Sequence, residues 1–133
     1  MPDSKTDTHA TSVINWLRGT AFPPDSPAIH MALYTVAPGE AGGGTEVTGG
    51  AYARITGWAF DVPSGSGPVV TANTGAITWL PATANWGLVA GFAILDALTA
   101  GNMLYFGSVG VSKSVLTDDT AEISAGDFDL TED

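Results

Sequence analysis

Two apolar runs, Leu88–Leu95 and Met103–Val109, constrain this chain more than any other feature, and the segment Asp96-Ala97-Leu98-Thr99-Ala100-Gly101-Asn102 separates them. Each run is of strand length, rich in residues that suit a pleated surface, and bounded by Gly, Asn and Asp. Together they predict two antiparallel core strands joined by a loop of medium length. Trp86-Gly87 stands at the entrance of the first strand, where an aromatic ring can lie across the end of a sheet. The rest of the chain must supply the second layer.

Ile29–Val36 alternates, with Ile29, Met31 and Leu33 on one face and His30, Ala32 and Tyr34 on the other, and reads as a half-buried strand. Arg54–Val62 reads as another, bulged at Gly57. Val69–Ala72, Ala76–Leu80, Ser112–Leu116, Ala121–Ser124 and Phe128–Leu130 are short candidates set apart by turn residues. One helix is expected over roughly Ser12 to Arg18, capped by Thr11 or Ser12 and stopped by Gly19. Phe22-Pro23-Pro24 then forms a stiff connection. About eight short strands with one short N-terminal helix describe an all-β fold, an antiparallel β-sandwich that is jelly-roll-like in outline. Residues 1–10 are small and polar and are expected to form a flexible or partner-bound arm, leaving 11–133 as a single sandwich domain. Ala37–Ala51 holds Gly39, Gly42, Gly43, Gly44, Gly49 and Gly50, and loops longer than ~12 residues usually carry function or move.

The charge pattern narrows the partners. Fourteen acidic residues oppose only Lys5, Arg18, Arg54 and Lys113, for a net charge of −10. Phosphate binding needs clustered Lys and Arg, so no nucleic-acid partner is expected. An anionic membrane is disfavoured for the same reason, and no apolar run approaches the ~20 residues that span a bilayer. The N-terminus lacks the basic start and apolar stretch of a signal peptide, which points to a soluble chain made in a cytoplasm. Only 14% of residues are charged, which suits a surface packed against other chains.

Chemistry finds no foothold in the sequence. His9 and His30 lack acids at ligand spacing, so no metal site is expected, and His30 reads as structural. There is no Gly-x-Ser-x-Gly elbow to carry a nucleophile. Gly42-Gly43-Gly44 precedes no helix and no lysine, as a phosphate cradle would require. Asp61, Asp96, Asp118, Asp119, Asp127 and Asp129 fall in turns, where aspartate binds nearby backbone. Asp118-Asp119 and Asp127-x-Asp129 lack the ligand density of a calcium loop. Trp16, Trp58 and Trp79 read as packing residues, and Trp86 as the tryptophan most open to a partner. No enzyme activity and no cofactor are expected.

A resemblance runs through most of the chain. Trp16-Leu17-Arg18-Gly19-Thr20-Ala21-Phe22-Pro23 and Met31-Ala32-Leu33-Tyr34-Thr35 come first, with Pro38-Gly39-Glu40. Glu46-Val47-Thr48-Gly49-Gly50-Ala51-Tyr52-Ala53-Arg54 and Ala84-Asn85-Trp86-Gly87 continue it. Phe92 to Ala97, Gly101 to Gly107 and Ala125-Gly126-Asp127 complete the series. In this order they resemble a family of tailed-bacteriophage virion β-domains, often labelled tail fibre proteins. The resemblance implies a virion structural protein on the particle surface, a homotrimer bound to the major capsid protein or another virion protein. The lone domain has no shaft or stalk, which favours a capsid decoration (cement) protein; the alternative is a tail fibre or receptor-binding module for host surface glycan. The partner contacts implied are His9 in the arm, Glu40 and Glu46 in the glycine-rich loop, and the aromatics Tyr52 and Trp86. Loss of residues 1–10 is then expected to weaken particle attachment more than folding.

Overall fold

The structure, a computed structural model, describes residues 3–21 and 29–132. Its centre is the expected hairpin. Strand β6 (Gly87–Leu95) pairs antiparallel with β7 (Met103–Val115), from Leu95↔Met103 at the loop end to Gly87↔Val115 at the other. Asp96 closes the loop by accepting from the Asn102 backbone N–H at 2.6 Å and the Asn102 side-chain amide at 3.0 Å. β7 is longer than its apolar run because it absorbs Ser112–Val115. Between Val89↔Lys113 and Gly91↔Ser108 the register slips, so that the stretch Val109 to Ser112 faces Ala90 alone. A bulge of this kind bends a strand and leaves its backbone locally unpaired.

β2 (His30–Val36) lies antiparallel beside β6, and β3 (Thr45–Glu46) and β1 (Asp3–Lys5) complete a five-stranded sheet in the order β1-β7-β6-β2-β3. The alternation of β2 is as expected, but the strand is buried on both faces. Met31 and Leu33 enter one cluster, while Ala32 and Tyr34 enter a second with Ala93 and Leu95. The loop after β2 closes over that second face: Ala37 Cβ sits 2.9 Å from where a Gly91 side chain would begin. A central strand thus reads as half-buried when its cover comes from loop rather than sheet.

The second layer consists of two ribbons, β4 (Val69–Ala72) with β9 (Asp129–Glu132) and β5 (Ile77–Thr78) with β8 (Glu122–Ile123). The main core cluster joins Met31, Leu33, Phe92 and Ile94 of the sheet to Ile77, Trp79 and Phe128. Phe92 and Phe128 meet edge to face at 5.0 Å, a geometry favoured by the ring quadrupoles. Among the described residues the fold is therefore antiparallel, strand-dominated and two-layered with one helix. Its split second layer differs from the continuous second sheet of a jelly roll.

Arg54–Val62 is not a strand. Ile55 bridges to Met31, Phe60 to Asn73 and Ser64 to Val70, each in isolation. Gly57, at φ +80°, turns the backbone through a conformation that L side chains rarely adopt, and the chain changes partner there. Its apolar residues still reach the core, with Trp58 and Phe60 stacked edge to face at 5.0 Å.

The expected arm is also structured where it is described. β1 pairs Asp3↔Gly107 through Lys5↔Tyr105, and helix α1 runs from Asp7 to Leu17. Thr6, 1% exposed, is the N-cap. Its hydroxyl accepts from the His9 N–H at 3.2 Å and donates to the Met103 carbonyl at 2.5 Å. This cap lies a full turn before the Thr11 or Ser12 expected, and Asp7 follows it where an acid suits the helix dipole. None of the helix residues is buried, and Ile14 and Leu17 are exposed. The Phe22-Pro23-Pro24 connection and the first two residues of the expected arm lie outside the described residues.

Candidate functional site

Three of the five predicted contact residues, Glu46, Tyr52 and Trp86, come together, and Arg54 is what organises them. Arg54 Nε and Nη2 donate to the two Glu46 carboxylate oxygens at 2.9 and 2.8 Å, a bidentate pair. Its Nη1 donates to the carbonyls of Ala97 and Ala100 at 2.7 and 2.8 Å. One guanidinium thus ties β3 to the tip of the β6–β7 hairpin. Tyr52 Oη donates to Glu46 at 2.9 Å and accepts from the Leu33 N–H at 3.0 Å.

The electrostatics follow from this wiring. Burial works against the Glu46 carboxylate, but hydrogen bonds from Arg54 and Tyr52 outweigh it and hold its pKa below the ordinary value. The hydrogen bond from Arg54 to Glu46 raises the Arg54 pKa against some desolvation. Burial pushes the Tyr52 phenol well above its ordinary range, with the neighbouring carboxylate adding to the effect. All of these groups are fixed in one protonation state near neutrality and use most of their hydrogen-bond capacity inside the fold.

Trp86 corrects the sequence reading. It is 6% exposed and lies in the core, not at a partner surface. Its indole N–H donates to the Gly50 carbonyl at 2.9 Å, and its ring meets Tyr52 edge-on at 5.4 Å. Gly50 permits this approach, because a Cβ there would lie 2.7 Å from Trp86 Nε1. The sequence Trp-Gly at a strand entrance suggested an open ring, but the loop containing Gly50 closes over it. The Ala37–Ala51 segment is correspondingly ordered by a Gly39↔Gly42 bridge and by β3.

His9 and Glu40 lie apart from this cluster. Glu40 is exposed, and its carbonyl accepts from the Asp7 N–H at 2.9 Å, anchoring the start of α1. His9 packs on Tyr105 with ring centroids 5.1 Å apart. Beside it, Lys5 Nζ pairs with Glu132 at 2.7 Å and Tyr105 Oη donates to the same carboxylate. Burial and the Lys5 charge lower the His9 pKa. This group joins the first strand to the last.

Of the turn aspartates, Asp96 and Asp119 bind nearby backbone as their positions suggested, whereas Asp61 holds a side chain. Asp119 accepts from the Leu116 N–H at 2.9 Å and Asp61 from the Thr74 hydroxyl at 2.8 Å. Among the described residues, no group of three or more His, Asp or Glu lies close enough to hold a metal ion. Sequence reasoning missed Arg54 and Asn73. Arg54 carried a signal, being one of four cations in the chain and placed between Ala53 and Ile55. Asn73, 1% exposed, donates to the carbonyls of Gly75 and Ser124 and accepts from the Phe128 N–H at 2.9 Å. In sequence it is one more turn asparagine.

Two of the concavities among the described residues border these groups and β7. A shallow groove of about 450 Å³ runs between Thr48–Arg54 and Leu98–Ala100. An apolar cleft of about 220 Å³ opens between the layers under the bulged part of β7.

Compared with known proteins, residues 4–131 match a protein family described as Podophage GP4 fiber I protein gp80. No curated protein matches the chain.

Proposed function

The chain belongs to the Podophage GP4 fiber I protein gp80 family, a phage fibre-type, virion-associated family matched over residues 4–131, and from that premise we propose that it is a non-catalytic building block of a tail fibre. It acts by packing against copies of itself, as a homotrimer, and against another virion protein. The observation that carries this reading is the family match over nearly the whole folded unit. The site geometry supports it: the groups that could do chemistry or recognition at Glu46, Tyr52 and Arg54 are consumed in holding two loops together. The fibre label favours the tail over the head, so the capsid-decoration reading ranks second.

Of the glycan contacts expected, the Ala37–Ala51 loop with Tyr52 and Trp86, the two aromatics lend the glycan reading no support. Trp86 is buried, and the Tyr52 hydroxyl is engaged on both its donor and acceptor sides. A glycan array probed with the purified chain is expected to stay silent; saturable binding to a host-surface sugar would overturn the purely structural reading. Light scattering after size exclusion is expected to give three times the chain mass of 13.5 kDa. A strict monomer at high concentration would remove self-packing from the account.

A further inference from the structure

The five-stranded sheet ends on an open edge. β1 covers β7 only from Tyr105 to Gly107, and among the described residues no strand pairs with β7 on that side from Ser108 to Ser114. The Thr6 N–H donates to the Leu104 carbonyl across this edge, and backbone groups alternate sides along a strand. Val109, Val111, Lys113 and Val115 all line one cleft, so the alternation runs on through the bulge and the N–H and C=O groups of Ser108, Gly110, Ser112 and Ser114 point outward; all four residues are solvent-exposed. An unpaired edge of this length is a template for another strand.

The odd-numbered residues face the other way, into chemistry of a different kind. Val109, Val111 and Val115 line the apolar cleft together with Phe92, Trp79 and Ile123. Val111 is 75% exposed, so the cleft is open to solvent at this residue. Lys113, Glu122 and Asp127 stand among its lining residues, two carboxylates against one ammonium. Only an extended polypeptide satisfies a row of alternating amide donors and acceptors while placing every second side chain over the cleft.

We infer that the β7 edge from Ser108 to Ser114, with the cleft beside it, receives an extended strand of a different polypeptide chain, apolar at alternate positions and basic where it meets Glu122 and Asp127. A second copy of this chain is a poor donor. Of its four cations, Lys5 and Arg54 are already paired with Glu132 and Glu46, Lys113 belongs to the receiving edge, and Arg18 caps the end of helix α1 and lies in no strand. The inference stands on the edge and the cleft alone and does not depend on where in the particle the protein resides.

The test is a titration of the full-length, isotope-labelled chain, followed by amide NMR. The probe is a synthetic seven-residue peptide that alternates valine and threonine between lysine ends, compared with its glutamate-ended counterpart. Saturable shifts are expected at the amides of residues 108–114, with the glutamate-ended peptide about tenfold weaker, as two rim charge pairs would give. Ser112→Pro with Ser114→Pro removes two outward donors at edge positions where proline is tolerated, and is expected to abolish binding. Should that variant not fold, Glu122→Lys with Asp127→Lys changes exposed rim charges and is expected to reverse the preference between the two peptides. No shifts at 108–114, equal affinity for both peptides, or unchanged preference in the charge-reversed variant would overturn the inference. So would self-association of the chain through this edge that the peptide displaces.

Discussion

Replacing Arg54 by alanine tests whether the cluster around Glu46 is the clamp described or a surface ion pair of little consequence. The Arg54 and Glu46 side chains are 8% and 23% exposed. The substitution removes a bidentate pair and two bonds to carbonyls, and it leaves a partly buried carboxylate without its counter-charge. Truncating one partner of a largely buried pair costs ~3–5 kcal/mol, and the residual exposure of Glu46 places this case near the lower end. Arg54→Ala is therefore expected to lose ~3 kcal/mol in urea unfolding and to lower the melting temperature by on the order of 10 °C. Glu46→Gln in the Arg54→Ala background should recover part of the loss, because no charge is then left unpaired. The pH dependence has a definite sign. The folded-state pKa of Glu46 lies below its ordinary 4.5, so its contribution is complete above that pH and disappears as the pH falls through the folded value. The wild-type and Arg54→Ala curves should converge in that range. A loss below about 1 kcal/mol at neutral pH, the range of exposed pairs, would refute the clamp.

Asn73→Ala removes one buried and two part-buried hydrogen bonds and strands the Phe128 N–H in the core; a loss of ~2–4 kcal/mol is expected by denaturant titration. Asn73→Asp should be no better, since it keeps the acceptor but loses both donors and buries a charge. Deleting residues 1–6 is expected to destabilise the fold, against the expectation for a free arm, because it removes β1, the Lys5–Glu132 pair and the Thr6 cap. A truncated chain with unchanged melting temperature would return those residues to the status of an arm.

The sequence carried the architecture wherever burial is periodic. The β6–β7 hairpin was legible because both strands are apolar and the loop between them is polar, and β2 was legible through its alternation. The short ribbons β4, β5, β8 and β9 were marked by their flanking turns. Legibility failed where a tertiary contact overrides the local pattern. Thr6 caps a helix that its neighbours do not announce, since the cap is held by the Met103 carbonyl nearly a hundred residues away. Arg54–Val62 has strand composition, but its partners lie in two different layers. At the candidate site, Glu46 and Tyr52 were singled out for a partner and prove to be satisfied internally. Their true partner, Arg54, was passed over because one cation in an apolar stretch shows no spacing pattern. The open edge of β7 was invisible for the opposite reason: a missing neighbour leaves no trace in sequence.

The central claim is that this chain builds a fibre. Gold-labelled antibody against the purified protein, imaged on intact particles by electron microscopy, tests it most directly. The account predicts label confined to the tail fibres, whereas label spread over the head in register with the capsomers would contradict it and restore the capsid-decoration reading.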